Sequence, residues 1–330
     1  MSDKPILSVL MSVHNGQYFL AECIESIINQ TFKDFEFIII DDGSTDDSIN
    51  LIRAYAKKDS RIRIYENKRN IGLSASLNRG LALCKGEYIA RMDADDFSHV
   101  SRLEKQLKYL NRNPLIGLVS VGRHYIAPNR LIFDTKIYPD NHHFISKSLI
   151  KGKNILDHGC VMFRRELISK MVEVYRFYYS QDFDLWLRLM DKTKFGMIEE
   201  PLHFRRRTMI SISSTLQNKR NKISDLILEL YLTRISNESE FDWKSKEQKI
   251  LSGFSKNTSF SFSIGHFYDA KAWFVNKSFR KSRIAFSKLV QKNPKNGIFL
   301  MYFILSCMGI LGYLIWKAIT SLKNQLEIRV

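Results

Sequence analysis

Apolar and polar positions alternate between two patterns along the first 122 residues. Short, nearly uninterrupted apolar runs at residues 6–13 and 35–40 are typical of strands buried on both faces. Residues 17–31 carry apolar side chains at helical spacing, which predicts a helix between these two strands. Because strands and helices keep alternating, we expect an α/β fold with a mostly parallel central sheet flanked by helices.

The pattern loosens after about residue 123. Helical spacing returns at residues 181–190 and 218–235, and residues 236–263 are rich in Ser, Lys and Asn. We therefore expect a first domain over residues 1–215, with halves at about 1–122 and 123–215. A basic helical extension over 216–295 and a C-terminal segment over 296–330 complete the predicted organisation.

Charge is distributed unevenly around the net value of +17. Residues 1–100 hold 12 basic and 15 acidic side chains, a net of −3, whereas residues 201–330 hold 22 and 8, a net of +14. A cationic C-terminal part favours an anionic partner, either nucleic acid or the anionic leaflet of a membrane. The four cysteines lack zinc-ligand or redox spacing, and the N-terminus lacks a signal-peptide pattern, so we expect a reduced, cytoplasmic environment.

Carboxylates follow two of the predicted strands. Asp93, Asp95 and Asp96 lie within four residues, and a hard divalent cation such as Mg²⁺ or Mn²⁺ would offset their mutual repulsion. The alternative is a solvated acidic turn that caps the next helix. Asp41 and Asp42 end an earlier strand and could accept hydrogen bonds from a base or ribose, although an ordinary turn explains them too. Ligands of parallel sheets bind at the carboxyl ends of the strands, where both turns lie.

A third segment combines a cation with a loop that enters a helix. Arg69 and Asn70 precede Gly72 and the helical residues that follow. The N-terminus of a helix beside an arginine suits a diphosphate. A plain junction between a loop and a helix is the alternative, because the segment has neither a phosphate-loop motif nor a dinucleotide fingerprint.

Five segments in a fixed order are more specific than any one of these motifs. They are LSVLMSVHN at 7–15, FEFIIIDDGSTD at 35–46, NIGLSASLNRGLALCKGEYIARMDADD at 70–96, DHGCVMFRR at 157–165 and SQDFDLWLRL at 180–189. Together they resemble glycosyltransferase family 2, an inverting family whose donor domain has the fold called GT-A. The resemblance covers roughly residues 5–215. It implies a nucleotide-sugar-binding domain, with the nucleotide bound by residues 1–122 and the acceptor by 123–215.

The resemblance also implies roles for single residues. The positions near the nucleotide, its phosphates or the donor sugar are Ser12, His14, Asp41, Asp42, Arg69, Asn70 and Asp93. Asp95 would ligate Mn²⁺ or Mg²⁺, and Asp96 could substitute or assist. Asp182 matches the general base, which takes the proton from the acceptor hydroxyl as that oxygen attacks the anomeric carbon. Asp184 is a second candidate base.

Three positions raise further questions about the site. Gln181 stands where the family usually has Glu, and Arg207 stands where it often has a metal-binding His. We expect Arg207 to contact the diphosphate, since arginine does not ligate metals. His158 matches a position on the acceptor side, although a lone histidine is more often structural. These departures leave open a non-catalytic scaffold that binds a nucleotide-sugar without turnover.

Residues 298–316 form a run of 19 residues without a charge, about the length that crosses a bilayer. Basic residues are more numerous before the run than after it, which would keep the preceding domain on the cytoplasmic side. An interfacial helix or a buried core helix are the alternatives. We expect this segment to hold the enzyme at the cytoplasmic face of the cell membrane, near lipid-linked or glycan acceptors of surface polysaccharide assembly. Nucleic-acid binding through the basic tail is a weaker alternative.

Overall fold

A computed structural model of the chain describes residues 4–207, 217–236, 242–252, 261–292, 294 and 296–329. The chain divides into two compact units. The first consists of residues 1–123, 136–205 and 218–255, and the second of 124–135, 206–217 and 256–330. Residues 124–135 group with the C-terminal helices, and residues 218–255 group with the first unit. The predicted organisation into residues 1–215, 216–295 and 296–330 stays a prediction.

One mixed sheet contains nine strands within the described residues. The strands are β1 (Leu7–Val13), β2 (Phe35–Asp41), β3 (Ile62–Glu66), β4 (Tyr88–Asp93), β5 (Phe97–Ser98), β6 (Ile116–Ile126), β7 (Ile132–Lys136), β8 (Met162–Arg164) and β9 (Lys194–Arg206). Their order is β3-β2-β1-β4-β8-β6-β9-β5, and β7 pairs with β6.

The direction of the strands changes along the sheet. β1 pairs in parallel with β2 and β4, and β2 pairs in parallel with β3, which confirms the parallel sheet predicted for the N-terminal part. β8 is antiparallel to β4 and β6, and β5 is antiparallel to β9. The sheet is therefore mixed, not mostly parallel. The antiparallel pairs involve β8 and β9, which follow residue 123, where the sequence no longer alternates strands with the crossover helices that parallel pairing requires.

Helices cover both faces of the sheet in the first unit. They are α1 (Leu20–Ile28), α2 (Ser48–Ala56), α3 (Leu73–Leu83), α4 (Arg102–Arg112), α5 (His142–Ile150), α6 (Gln181–Met190), α7 (Gln217–Ile235) and α8 (Trp243–Ser252). Alternate residues of β1 enter separate hydrophobic cores. Leu10 packs in one core with Ile38, while Val9 and Met11 pack in the other with Phe37. Burial on both faces explains the uninterrupted apolar runs of these strands.

The second unit contains four helices within the described residues: α9 (Ser261–Val275), α10 (Phe279–Lys292), α11 (Gly297–Cys307) and α12 (Ile310–Arg329). Their core includes Phe274, Phe286 and Tyr302. The uncharged run at 298–316 does not form one continuous helix, because it breaks at Met308 and Gly309 between α11 and α12. Within the described parts of the chain, no helix combines the length and the apolar character needed to cross a bilayer.

Candidate functional site

The carboxyl ends of three neighbouring strands bring predicted site residues to one edge of the sheet. In the pairing register, Ser12 on β1 lies opposite Ile40 on β2 and opposite Asp93 on β4. Val13 lies opposite Asp41, at the end of β2. The two acidic turns therefore share an edge, as the sequence predicted.

Asp42 is buried and its carboxylate binds the loop that precedes α3. Its Oδ1 accepts hydrogen bonds from the Asn67 side-chain amide at 2.8 Å and from the Ile71 amide at 2.9 Å. Its Oδ2 accepts a hydrogen bond from the Gly72 amide at 3.0 Å. These bonds hold residues 67–72 against the end of β2, so the structure gives Asp42 a role in positioning the loop that contains Arg69 and Asn70.

Asp41 has a different environment, although it is the adjacent residue. It is buried, and its Oδ2 accepts a hydrogen bond from the Ser44 amide at 3.2 Å. Its Oδ1 is buried and accepts no hydrogen bond from any described residue. A buried carboxylate oxygen without a donor is costly, and an N–H group of a ligand would remove that cost.

The loop after β2 also touches the loop around Arg69. Gly43 has a φ of 65°, and a Cβ at this position would lie 2.5 Å from the carbonyl carbon of Arg69. Only glycine allows both the backbone conformation and the close approach. Arg69 and Asn70 are exposed at this junction, and the exposed His14 places its Nδ1 3.0 Å from the main-chain oxygen of Asp42. These three residues therefore lie beside Asp42 and Gly43, and their contact with a nucleotide stays a prediction.

The second acidic turn holds three carboxylates in three different settings. Asp93 Oδ1 accepts a hydrogen bond at 2.7 Å from the buried guanidinium of Arg91. Asp96 is buried, and its Oδ2 lies 2.9 Å from Nε2 of His203. Asp95 is partly exposed, and desolvation together with the charges of Asp96 and Asp93 raises its pKa to about 8.

His203 is not among the site residues predicted from the sequence. The residue lies on β9, 107 positions from Asp96, and is completely buried. Burial, and then the charge of Arg102, lowers the pKa of His203 to about 3, so the ring is neutral and its Nε2–H donates to Asp96. In the sequence, His203 is a histidine inside a strand segment. A single sequence does not show which distant residue such a side chain contacts.

The carboxylates of this turn are suitable ligands for a divalent cation. Carboxylate oxygens are the ligands that Mg²⁺ and Mn²⁺ prefer, and a dication would relieve the repulsion that raises the pKa of Asp95. The described residues contain no group of three or more His, Cys, Asp and Glu side chains that could hold a metal. The turn therefore suits an ion that takes one or two protein carboxylates and completes its coordination with phosphates and water.

A 3₁₀ helix over His158–Cys160 packs directly against the acidic turn. A Cβ on Gly159 would lie 3.1 Å from Asp93 Oδ2 and 3.1 Å from His203 Nε2, so the absence of a side chain allows an unusually close approach. His158 itself is buried, and its Nε2 lies 2.8 Å from the Tyr175 hydroxyl. Burial holds the pKa of His158 well below its usual range. This is the setting of a core histidine, which favours the structural alternative over contact with an acceptor.

Asp157 connects the same region to two arginines. Its carboxylate lies 2.6 Å from Arg123 and 2.5 Å from Arg205. The charge of Arg205 also acts to lower the pKa of Asp95. Arg205 therefore contributes positive charge beside the acidic turn, although it is not among the site residues predicted from the sequence.

The N-terminus of α6 presents the predicted base. Asp182 is partly exposed, and its Oδ2 accepts a hydrogen bond from the Asn154 amide at 2.9 Å. Desolvation raises the pKa of Asp182, while the charge of Arg220 opposes that shift. Gln181, the preceding residue, is buried. The carboxylate is thus held in place and made more basic than a solvated aspartate.

Asp184 is not available as an alternative base. It is buried and lies 2.5 Å from Arg176 and 2.8 Å from Arg188. Arg176 donates to both carboxylate oxygens of Asp184, and Arg188 donates to Oδ2. The side chain therefore pairs with two cations inside the fold.

Arg207 contacts a tyrosine of the second unit. Its amide donates to the Ile126 carbonyl at 2.9 Å, and its guanidinium lies 4.8 Å from the centre of the Tyr125 ring. The predicted contact between Arg207 and a diphosphate stays a prediction.

Residues 8–172 match the model of a protein family described as Glycosyl transferase family 2. The chain belongs to this family. As a family 2 member, the protein is a glycosyltransferase. It is also 38% identical over 189 residues to the O-antigen biosynthesis glycosyltransferase WbnJ of Escherichia coli. That match covers 57% of this chain and 72% of the relative.

Two solved structures share the fold. The glycosyltransferase matches residues 1–349 of S. aureus TarS in complex with UDP-GlcNAc with a TM-score of 0.56 at 15% identity, covering 93% of this chain and 88% of the other. It matches the mannosyltransferase PcManGT of Pyrobaculum calidifontis, in complex with GDP-Man and Mn²⁺, with a TM-score of 0.53 at 15% identity. That match covers 95% of this chain and 87% of the other. At such low identity, these similarities establish the fold alone.

Proposed function

We propose that this glycosyltransferase moves a sugar from a nucleoside diphosphate sugar, most simply a UDP-sugar, to a hydroxyl group of a glycan or lipid-linked acceptor in surface polysaccharide assembly. The observation that carries the proposal is the unpaired buried oxygen of Asp41 at the sheet edge that also presents Asp93, Asp95 and Asp96. The complex of TarS with UDP-GlcNAc supports this class of donor, and the name of WbnJ supports this class of product.

Asp41 is suited to recognise the base. Its Oδ1 lacks a donor among the described residues and would accept a hydrogen bond from the ring N–H of uracil or guanine. Asp42 would act indirectly, because its carboxylate already holds residues 67–72 in place. Ser12 and His14 would flank the base and ribose, while Arg69 and Asn70 would approach the phosphates.

Asp95 would hold the divalent ion, with Asp96 assisting. When bound, Mn²⁺ or Mg²⁺ supplies positive charge that stabilises the diphosphate leaving group. The protein adds Arg205 on the same side of the turn, where its charge already acts on Asp95. Arg91 holds the Asp93 carboxylate in place for contact with the ribose or the donor sugar.

Asp182 would act as the general base. Its carboxylate takes the proton from the acceptor hydroxyl while the acceptor oxygen forms a bond to the anomeric carbon. The bond between that carbon and the diphosphate oxygen breaks in the same step, so the anomeric configuration is inverted. Asn154 positions the carboxylate for this transfer by donating to Oδ2.

Calorimetric titration of the protein with UDP, GDP and CDP, with and without Mn²⁺, tests the proposed donor site. We expect Asp41→Ala to weaken binding of the preferred nucleotide by about 10- to 100-fold, because a hydrogen bond to a charged acceptor contributes about 1.5–3 kcal/mol. The matched control is Asp47→Ala, which removes an exposed carboxylate from the start of α2 and should leave binding unchanged. Absence of binding to all three nucleotides, in protein shown to be folded, would contradict the proposal.

A further inference from the structure

The outer faces of α11 and α12 carry large apolar side chains that no described part of the chain covers. Six of them define what we call the apolar stripe: Met301, Ile304, Met308, Leu311, Leu314 and Ile315. Each is between 38% and 58% exposed. On each side of the break at Met308 and Gly309, the positions recur at three- and four-residue spacing, which places them along one face of each helix.

The opposite face of α11 is already used for packing. Phe299, Tyr302 and Leu305 are buried in the core of the second unit together with Phe274 and Phe286. The apolar stripe is therefore not needed to stabilise this helical unit. A helix that is apolar on all sides is buried on all sides in the functional protein. A continuous exposed apolar surface marks an interaction site.

The charge around the apolar stripe indicates the partner. Residues 270–326 contain ten Lys and Arg and not a single Asp or Glu. Arg280, Lys281, Arg283 and Lys288 on α10 and Lys317 on α12 are exposed. Apolar side chains with surrounding cations match a bilayer with anionic headgroups, which attracts the cations and accepts the apolar groups.

Two other partners fit these observations less well. A second copy of the chain would cover the apolar stripe, but it would bring an equally cationic surface against this one. A nucleic acid would neutralise the cations, but it would leave the apolar side chains in water. We propose that α11 and α12 form an interfacial hairpin whose apolar stripe inserts into an anionic lipid surface.

The proposal concerns a surface of the second unit and is separate from the donor site, so the two can fail independently. It replaces the bilayer-crossing segment suggested by the sequence with two helices that lie in the interface. The break at Met308 and Gly309 supports this arrangement, because it divides the uncharged run between α11, of 11 residues, and α12. At 1.5 Å per residue, α11 extends only about 16 Å.

The protein contains a natural position for a reporter of insertion. Cys307 is exposed between Ile304 and Met308, whereas Cys23, Cys84 and Cys160 are buried. A maleimide carrying an environment-sensitive fluorophore should therefore label Cys307 selectively in the folded chain. With vesicles that contain phosphatidylglycerol, we expect a blue shift, a several-fold rise in emission and co-flotation of the protein, and with purely zwitterionic vesicles at least about tenfold weaker binding.

A double substitution tests the apolar stripe directly. Leu311→Glu with Ile315→Glu should weaken binding to the anionic vesicles by at least about tenfold, since both side chains would carry charge into the apolar region. The matched control is Val172→Glu, an equally drastic change at a fully exposed apolar residue of the first unit, which should bind vesicles as the wild type does. Circular dichroism and UDP titration would verify that the double variant keeps its fold.

Three results would overturn the proposal. The first is vesicle binding that the double substitution leaves unchanged, which would reduce the interaction to surface charge. The second is binding to duplex DNA that exceeds binding to the vesicles and is equally insensitive to the substitution. The third is a dimer in light scattering that the double substitution converts to a monomer, in protein that does not float with anionic vesicles.

Discussion

Replacing Asp182 with Asn is expected to lower the turnover number by about 10²- to 10⁴-fold, the usual contribution of a general base. The amide keeps the size of the side chain but cannot take the proton from an acceptor hydroxyl. UDP affinity should stay close to that of the wild type, because the proposed nucleotide contacts come from β1, β2, β4 and the loop 67–72. A selective loss of turnover would assign Asp182 to the chemical step.

The measurement can proceed before the acceptor is identified. Water can replace the acceptor hydroxyl, so release of UDP from UDP-GlcNAc in the presence of Mn²⁺ reports turnover, and calorimetry with UDP reports binding. Asp191→Asn is a matched control at the other end of α6, where the carboxylate forms an exposed ion pair with Arg234. Hydrolysis by Asp182→Asn at the wild-type rate would remove Asp182 from the mechanism. An inactive wild type that binds UDP tightly would favour the non-catalytic scaffold.

The pH dependence offers an independent test of the same residue. Desolvation raises the pKa of Asp182, so the base becomes protonated, and activity falls, as the pH decreases through a value above that of an ordinary aspartate. The hydrogen bond from Asn154 acts in the opposite direction and lowers this pKa. Asn154→Ala should therefore move the acidic limb of the kcat profile to higher pH, whereas Asn113→Ala, which removes an amide from the end of α4, should not move it. An unchanged limb in Asn154→Ala would contradict the positioning role.

The parts of the site that the sequence could predict depend on local patterns. The apolar runs that precede Asp41 and Asp93 identified the ends of two strands. Parallel pairing alone predicted that these two ends share one edge of the sheet. The different roles of Asp41 and Asp42 could not be predicted, because they depend on which of the two carboxylates forms hydrogen bonds with the loop 67–72. The neighbours of His203 were beyond prediction for the same reason, since 107 residues separate it from Asp96.

The C-terminal run shows why composition alone does not identify a helix that crosses a bilayer. Nineteen uncharged residues are long enough to cross a bilayer, yet the run breaks at Met308 and Gly309, and six of its large side chains pack in the core of the helical unit. Hydropathy averages over both faces of a helix and does not register a turn inside an apolar run. The division between packed and exposed faces, which carries the proposal of an interfacial hairpin, became visible only from the contacts of Phe299, Tyr302 and Leu305.

The largest expected effect on metal binding comes from Asp95→Ala. In the wild type, we expect Mn²⁺ to tighten UDP binding and to raise the melting temperature of the UDP-bound protein, because ligands that bind only the folded state stabilise it. Without Asp95, both effects should disappear, leaving the affinity for UDP at its metal-free value. The metal-free variant should be no less stable than the wild type, because Asp95 is repelled by Asp96 and Asp93, and its removal relieves that repulsion.

Comparison with Asp96→Ala separates the roles of the two carboxylates. Asp96 is buried and accepts a hydrogen bond from His203, so its replacement by alanine should disturb the fold around the turn and lower the melting temperature of the metal-free protein. Asp95→Ala should show the reverse pattern, with the metal effect lost and the metal-free stability kept. Depletion of the electron paramagnetic resonance signal of free Mn²⁺ measures the binding of the ion without reference to turnover. If Asp95→Ala depletes that signal as the wild type does, the ion is held elsewhere and the assignment of Asp95 fails.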